Sequence, residues 1–283
     1  MHQPSARLWL PPLSLAGCLR GVLLRDTRGL GLQGPALDSY LPATPLMSLY
    51  VLARNDAQWL ATPGFSVPPP GYSPAPLLLA GPFTQPTHMR SRGEERCLVL
   101  LFLPDALRAL TGIDPASWRN LAGDAGPVLP VEWRDWAGSL SRMDSEAAQL
   151  AAIEAFLQPR WQALGAQRPS GRYADWTEAL AMRAATSAAG RSLRQLERRI
   201  KAWAGLPMRE LRAVSRAEAA FYAVAAAEDR PGFSWAHIAA QADYADQSHL
   251  CRETRRLTGF SPEELRRRIA TDEAFWAYRL WRG

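Results

Sequence analysis

The stretch Asp243-Tyr-Ala-Asp-Gln-Ser-His-Leu-Cys-Arg-Glu-Thr-Arg-Arg-Leu-Thr-Gly-Phe-Ser-Pro262 decides how the C-terminal half of the chain folds. Asp243 suits a left-handed turn position, which few residues other than glycine tolerate. Asp246 can cap a helix and place a negative charge at its positive end, and Gly259 can end that helix. The pattern predicts a helix-turn-helix whose second helix fits a DNA major groove.

The helices on either side of this turn have clear start signals. We expect Ser234 to cap a helix that begins at Trp235, and Ser261-Pro-Glu-Glu264 to cap another, with serine before a proline at the first helical position. The apolar residues predicted to face inward are Ile238, Ala239, Ala242, Leu250 and Leu257. The side chains predicted on the opposite face of the second helix are Gln247, Ser248, Cys251, Arg252 and Arg255.

A second unit of the same kind lies upstream. Ser192-Leu-Arg-Gln195 has the capping-box pattern and opens a helix that runs to about Ala204 and stops at Gly205. Helical spacing places Leu193, Leu196, Ile200 and Trp203 inward and Arg194, Gln195, Arg198 and Lys201 outward. A long helix, Met208–Ala227, separates the two units. Two such units in one half of the chain are hard to explain by chance.

Charge is unevenly distributed along the 283 residues. Residues 1–167 hold 13 basic and 13 acidic side chains, whereas residues 168–283 hold 20 and 14, so the whole net charge of +6 belongs to the C-terminal part. A basic region that contains both units fits a polyanionic partner. Only one basic residue, Lys201, is a lysine, so a general preference for arginine is an alternative explanation for the charge.

The compartment follows from the cysteines and the apolar runs. Cys18, Cys97 and Cys251 are widely spaced and odd in number, which argues against a disulfide framework. No apolar run reaches the ~18 residues that a membrane helix needs, and we see no signal peptide. We therefore expect a cytoplasmic protein without a membrane span.

Proline marks the N-terminal half, since 19 of the 23 prolines precede residue 168. Proline favours turns and strand edges, which indicates short strands between turns. Candidate strands are Leu46–Leu52, Pro76–Ala80 and Cys97–Phe102, and the proline-rich segment Pro63–Pro76 should be an exposed loop. Helices are predicted at Asp105–Leu110, from Asp114, at Val131–Leu140, Ser145–Leu157 and Trp176–Ala185.

These patterns predict an α+β protein of two domains. Residues 1–165 form a β-rich cup, barrel-like or jelly-roll-like, with helices packed on it. Residues 166–175 are a breaker-rich linker. Residues 176–283 form an all-helical domain with two helix-turn-helix motifs.

The motifs resemble a known family. Ser192-Leu-Arg-Gln-Leu-Glu-Arg-Arg-Ile-Lys201 with Gly205, and Asp246-Gln-Ser-His-Leu-Cys-Arg-Glu253 with Gly259-Phe-Ser-Pro262, resemble the two helix-turn-helix motifs of the arabinose-regulator (AraC/XylS) family of bacterial transcription factors. Leu79-Ala-Gly-Pro-Phe-Thr84 and Phe102-Leu-Pro104 are similar to a sensor domain that often precedes such a pair.

The resemblance implies a regulator that places two recognition helices in successive major-groove faces of a promoter, about one helical turn or ~34 Å apart. The residues it assigns to the groove are Arg194, Gln195, Arg198, Gln247, Ser248, Cys251 and Arg252, with Lys201 and Arg255 on phosphate. It further implies double-stranded promoter DNA as partner, RNA polymerase contact, a small-molecule effector and a homodimer.

The chain also departs from the family pattern. Ala184–Gly190 replaces a clear helix and turn in the first motif, and Pro207 falls one place early. Asp243 stands where glycine is usual, and Thr254 stands where an aromatic residue usually fills the core. We therefore expect the first motif to be the less regular of the two.

Three alternatives remain open at the level of sequence. Cys251, near a helix start, is either a small groove-facing side chain or a redox-sensitive thiol. The N-terminal half senses an effector, only dimerises, or is the catalytic part of a DNA-repair methyl acceptor, although Cys18 and Cys97 have no metal or base partners nearby in sequence. Effector-pocket candidates, with ordinary core as the alternative, are Trp9, Tyr40, Tyr50, Trp59, Phe65 and Tyr72.

Neither a metal site nor a cofactor site is expected. His88 is the only histidine in the body of the N-terminal half, and a metal-binding cup needs several ligands at close spacing. Gly29-Leu-Gly-Leu-Gln-Gly34 has the glycine spacing of a dinucleotide loop, but no strand and helix flank it in the required order, so it is interpreted as an ordinary loop. We expect no enzymatic activity.

Overall fold

The structure is a computed structural model that describes residues 5–54, 57–67, 76–143, 145–165, 172–186, 192–227 and 233–281. Its strands are β1 (Ala6–Trp9), β2 (Leu19–Asp26), β3 (Asp38–Leu41), β4 (Met47–Arg54), β5 (Gln58–Trp59), β6 (Leu77–Ala80), β7 (Thr87–Arg90), β8 (Arg96–Phe102) and β9 (Ala122–Asp124). Among these residues they form an antiparallel sheet in the order β1-β2-β8-β4-β6-β9 and a smaller antiparallel sheet in the order β3-β7-β5.

The three predicted strands are present as β4, β6 and β8. Every residue of β8 is buried, which suits its central place between β2 and β4. Strand β2 was not predicted because its sequence, Leu-Arg-Gly-Val-Leu-Leu-Arg-Asp, contains two arginines and yet is almost wholly buried. Most of the other missed strands have four residues or fewer, too few to show a period.

The helices are α1 (Pro104–Thr111), α2 (Val131–Leu140), α3 (Glu146–Ala163), α4 (Tyr173–Thr186), α5 (Leu193–Ala204), α6 (Met208–Ala227), α7 (Trp235–Gln241), α8 (Gln247–Thr258), α9 (Pro262–Thr271) and α10 (Trp276–Arg279). The prediction of a helix from Asp114 was wrong in kind: Asp114 caps a single 3-10 turn, Pro115–Trp118, and the chain then enters β9. Residues 68–75 of the predicted loop and 187–190 of the first motif lie outside the described residues.

One hydrophobic core joins the two halves of the chain. It contains Leu100 and Phe102 of β8 together with Leu180 of α4, Ile200 of α5 and Leu211 of α6. Helix α4 begins at Tyr173, inside the range predicted as linker. The helical half therefore packs directly on the sheet.

The end of the chain returns to the smaller sheet. Trp276 donates a hydrogen bond through Nε1 to Ser39 Oγ at 2.8 Å, and Phe275 stacks on Tyr40 with ring centroids 5.1 Å apart. Tyr40 also stacks on His88 at 4.2 Å and meets the edge of Phe260 at 5.3 Å. Residues after the second motif thus share an aromatic cluster with β3 and β7.

The aromatic cluster contains one histidine, His88, which is buried. Burial lowers its pKa below the usual value; Asp38 opposes the shift and Arg90 adds to it. The unfolded chain then binds the proton more readily than the folded protein does, so the stabilising contribution is present above the unfolded pKa of about 6.5 and is lost as the pH falls through the folded value. We predict that wild-type unfolding midpoints in urea fall between pH 7.5 and 5.5, and that His88→Gln removes part of this fall.

The exposed His237 supplies the control. The variant His237→Gln should keep the wild-type pH dependence. If His88→Gln and His237→Gln showed the same pH dependence, His88 would not be the group responsible.

Candidate nucleic-acid interface and the adjoining cavity

The second motif has the geometry that its sequence predicts. Asp243 occupies the left-handed region with φ of 59°, Asp246 Oδ1 accepts from the backbone N–H of His249 at 2.6 Å, and Gly259 ends α8 with φ of 85°. Leu250 and Leu257 are buried, with 1% and 3% of their surface exposed. Ser234 does precede α7, but its side chain makes no capping hydrogen bond, so that detail was wrong.

Because Leu250 and Leu257 are buried, the predicted contact face of α8 lies toward solvent. Gln247, Ser248, Arg252 and Arg255 are exposed, and Cys251 is half-buried. The His249 ring packs edge-on against Tyr244, with centroids 5.1 Å apart. The face opposite the buried leucines is therefore free to meet a partner.

The first motif is also well capped. Both bonds of the capping box form, from Gln195 N to Ser192 Oγ at 3.3 Å and from Ser192 N to Gln195 Oε1 at 3.4 Å. Gly205 ends α5 with φ of 73°. Ile200 is buried as predicted, but Leu193 is 83% exposed, so its predicted inward position was wrong. Arg194, Arg198 and Lys201 are exposed, and Gln195 is half-buried.

The basic residues of the two motifs separate into an inward set and an outward set. Arg256 of α8 pairs with Glu210 of α6 at 2.8 Å. Nη2 of Arg216 in α6 donates to both carboxylate oxygens of Glu253 in α8. Arg199 donates to the backbone oxygen of Ala184 at 2.7 Å. These inward bonds fix α8 on α6 and α5 on α4.

The outward set makes no ion pair with any residue in the described ranges. Its members are Arg194, Arg198, Lys201, Arg252 and Arg255. Glu210 and Glu253 are paired with the inward set, so no carboxylate among the described residues neutralises the outward cations. That is the electrostatic requirement for binding phosphate and base edges.

The N-terminal half holds the C-terminal ends of α5 and α8. Arg108 of α1 donates to the Ala202 oxygen in the last turn of α5 at 2.6 Å. The backbone N–H of Ala43 donates to the Leu257 oxygen in the last turn of α8 at 2.7 Å. These donors satisfy carbonyls that a helix leaves free at its end. Residues of the N-terminal half are therefore bonded directly to the last turns of α5 and α8.

A cavity of about 300 Å³ lies between the larger sheet and the helical half. Its wall is mainly apolar and is contributed by both halves, with Leu23, Tyr50, Val99 and Leu101 from strands and Val214, Phe221, Leu257 and Trp276 from helices. Thr254, which replaces the usual aromatic residue, is also on the wall.

Of the predicted pocket aromatics, Tyr50 lines this cavity. Trp9 and Trp59 pack against the main core, and Tyr40 and Phe65 belong to the aromatic cluster around Phe260. Tyr72 lies outside the described residues.

The charged residues of the cavity are not predictable from the sequence pattern. Arg20 of β2 pairs with Glu218 of α6 at 2.7 Å, and the second oxygen of Glu218 accepts from the Tyr173 N–H at 2.8 Å. Arg25 pairs with Glu273 at 2.6 Å. Both arginines are more than nine-tenths buried. Their only local signal is two arginines in a short apolar stretch, which does not distinguish them from surface residues.

Comparison with known proteins identifies the C-terminal region. Residues 185–268 match the family described as "Helix-turn-helix domain". The chain carries an AraC-type helix-turn-helix domain. The protein is a DNA-binding transcription regulator, in agreement with the prediction. No curated protein sequence matches the chain.

Solved structures of ToxT from Vibrio cholerae are similar to the chain at low identity. An apo ToxT variant from strain SCE256 has 11% identity and a TM-score of 0.40, covering 86% of this chain and 95% of ToxT. ToxT from strain O395 has 12% identity and a TM-score of 0.38, with 81% and 94% covered. Unsaturated fatty acid bound wild-type ToxT has 12% identity and a TM-score of 0.37, with 81% and 93% covered.

Two of the three cysteines lie in the interior of the protein. Cys18 and Cys97 are buried and unpaired, and burial raises the pKa of the Cys97 thiol well above its usual value. A thiol of this kind is a poor nucleophile because the thiolate is disfavoured. Within the described residues, no three potential metal-ligating side chains come together. No helix in those ranges is long and apolar enough to cross a membrane.

Proposed function

We propose that α5 and α8 of the AraC-type domain bind successive major-groove faces of one promoter site. Arg194, Gln195, Arg198, Gln247, Ser248, Cys251 and Arg252 face the bases, and Lys201 and Arg255 contact phosphate. The observation that carries the proposal is the set of exposed cations without ion-pair partners in the described residues, on α8, which ion pairs fix to α6, and on α5, which a hydrogen bond from Arg199 fixes to α4. Arginine and glutamine have the donor geometry to recognise guanine and adenine edges.

The N-terminal half is the regulatory part of this proposal. A small-molecule effector occupies the cavity between the sheet and the helical half, where a mainly apolar wall from both halves suits such a ligand. Because the same wall includes Leu257 at the end of α8, an occupant contacts a recognition helix directly. Filling the cavity therefore alters how the helices are presented to DNA.

The remaining assignments complete this proposal. The domains are residues 1–165 and 176–283 with a linker at 166–175, although the two halves share a core. The protein acts in the cytoplasm as a homodimer and contacts RNA polymerase. It has no enzymatic activity of its own, and the buried Cys18 and Cys97 argue against a methyl-acceptor chemistry.

The proposal is tested by fluorescence anisotropy with DNA taken from beside the protein's own gene. The full chain should bind this DNA more tightly than random DNA at physiological salt. Equal affinity for the two would contradict sequence-specific binding by this domain.

We predict that Arg252→Ala weakens specific binding by about 1–3 kcal/mol, because the variant loses a bidentate contact to a base edge. Competition against random DNA in the same assay gives the specific component. Arg142→Ala removes an exposed arginine from the N-terminal half and should leave the affinity unchanged. An Arg252→Ala protein with wild-type specificity would remove Arg252 from the interface.

A further inference from the structure

Arg20 reaches the cavity because β2 contains a β-bulge. Leu19 pairs with Phe102 and Gly21 pairs with Leu101, so Arg20 is an extra residue with no partner of its own in β8. Such an extra residue breaks the alternation of a strand and re-aims a side chain. Leu23 and Arg25 line the cavity through normal alternation, and the bulge adds Arg20 to the same wall.

The Arg20 side chain is buried and incompletely satisfied. Its residue surface is 8% exposed, and its Nε has no hydrogen-bond partner among the described residues. Its Nη2 donates to Glu218 Oε1 at 2.7 Å, and the guanidinium lies 4.6 Å from the Trp281 ring centroid. A buried donor left without an acceptor is costly and marks a place where an acceptor fits.

Each arginine on the cavity wall has a carboxylate partner. Arg20 pairs with Glu218, Arg25 pairs with Glu95 and Glu273, and Arg266 pairs with Glu263. A neutral molecule can enter without disturbing these pairs. An anion can enter only if it takes an arginine from one of these carboxylates, because an additional buried negative charge without a cation of its own is strongly disfavoured. The displaced carboxylate must then turn to solvent or take up a proton.

We infer that the cavity binds an apolar molecule with one anionic head group, and that this group replaces Glu218 on Arg20. The inference rests on the effector part of the proposed function. Arg20 is the arginine that can change partners, since Glu218 is the only carboxylate paired with it among the described residues, whereas Arg25 keeps Glu95 if Glu273 withdraws. The unpartnered Nε then gains an acceptor as well.

The exchange releases a helix that is central to DNA binding. Glu218 belongs to α6, which also carries Glu210 and Arg216, the residues that hold α8. Tyr173 N–H, at the start of α4, donates to the same carboxylate. When Glu218 leaves Arg20, α6 loses its buried ion pair to β2, and the position of both motifs relative to the sheet is no longer fixed there.

Two fluorescent probes with the same aromatic body distinguish the contribution of the anionic head group to binding from that of the apolar part. 8-Anilinonaphthalene-1-sulfonate carries an anion, and N-phenyl-1-naphthylamine is its neutral counterpart. Both are titrated into the full-length protein and its variants. We expect Arg20→Met to weaken sulfonate binding about tenfold or more while naphthylamine binding stays within about twofold, because only the charge-assisted contact is lost.

Further variants exclude a trivial loss of folding. Arg20→Lys keeps the charge and should retain most of the sulfonate binding, and Glu218→Gln should increase sulfonate affinity because the competing acid is gone. Arg142→Met, on the exposed surface, controls for non-specific anion binding. Equal responses of the two probes to Arg20→Met, or an unchanged sulfonate affinity in Glu218→Gln, would overturn the exchange.

The effect of the sulfonate probe on DNA binding is measured in the same samples. A saturating concentration of the sulfonate probe should change the affinity of the wild-type protein for promoter DNA. It should not change the affinity of Glu218→Gln, in which the ion pair with Arg20 is already broken. An equal effect in both proteins would contradict the release of α6. If neither probe bound the wild type, the effector part of the proposed function would fail. If both probes bound equally well and independently of Arg20, only the anion assignment would fail.

Discussion

Replacing Arg194, Arg198, Arg252 and Arg255 together with alanine should reduce the affinity for the promoter site by more than about 100-fold. Three of the four are assigned to base edges, and each base contact contributes about 1–3 kcal/mol. Arg255, on phosphate, adds a contribution that does not depend on sequence. The affinity is measured by anisotropy with promoter DNA and random DNA over a range of salt concentrations.

The matched control removes the same number of charges from the other half of the chain. Arg92, Arg119, Arg134 and Arg142 are exposed in the N-terminal half, and their fourfold alanine variant has the same net charge. It should keep sequence preference and most of the affinity. If both variants lost affinity equally, binding would depend on net charge rather than on the two outward helix faces.

The salt dependence distinguishes the two kinds of contact. Removal of Lys201 or Arg255 should lower the slope of log affinity against log salt by about one each, because each releases one counterion fewer. Circular dichroism checks that the helices remain folded. Their caps and buried leucines are untouched by these substitutions, so no large loss of helix is expected.

Gly259→Ala should be among the most destabilising single substitutions in the protein. Gly259 has φ of 85°, and an added Cβ would lie 2.2 Å from Phe65 Cζ. The left-handed conformation costs a non-glycine residue about 1–2 kcal/mol, and overpacking costs about 1–3 kcal/mol more. We expect the free energy of unfolding, measured in urea, to fall by about 2–5 kcal/mol.

Gly112→Ala isolates the backbone part of this effect. Gly112 also ends a helix, α1, with φ of 78°, but an added Cβ would meet no atom within 4 Å. It should therefore cost only the ~1–2 kcal/mol of the left-handed conformation. Equal losses for Gly259→Ala and Gly112→Ala would show that Phe65 does not press on the end of α8.

A double-mutant cycle measures the contact between Phe65 and an alanine at position 259. Phe65→Ala removes the ring that the new Cβ would strike, so Gly259→Ala should cost less in that background than in the wild type. Strict additivity would contradict the contact. Since Phe65 belongs to the N-terminal half and Gly259 ends α8, the cycle also measures how strongly the two halves are coupled.

The helical half was predictable because its signals are local. Ser192 with Gln195, Asp246 with His249 and Ser261 with Glu264 form caps across three residues. Helix α6 has the predicted bounds, Met208–Ala227. Leu193 was misplaced because periodicity alone does not say whether another element covers the first turn of a helix, and none does so here.

The N-terminal half was less predictable because its buried residues contradict the usual patterns. Arg20, Arg25 and Arg96 are buried in strands, where alternation of apolar and polar residues would place them on a surface. Each is tolerated because a carboxylate or amide from a distant segment meets it, as Glu218 meets Arg20 and Gln149 meets Arg96. No pattern within one strand encodes such a partner.

Local sequence signals specify the two helix-turn-helix motifs, their caps and their outward basic faces, because these depend on hydrogen bonds within one turn of a helix and on the spacing of apolar residues. Long-range packing places the helical half on a core shared with the sheet, brings Ala43 and Arg108 to the ends of α8 and α5, and leaves a cavity between the halves. Those features join residues far apart in the chain, and their positions are set by how whole elements pack.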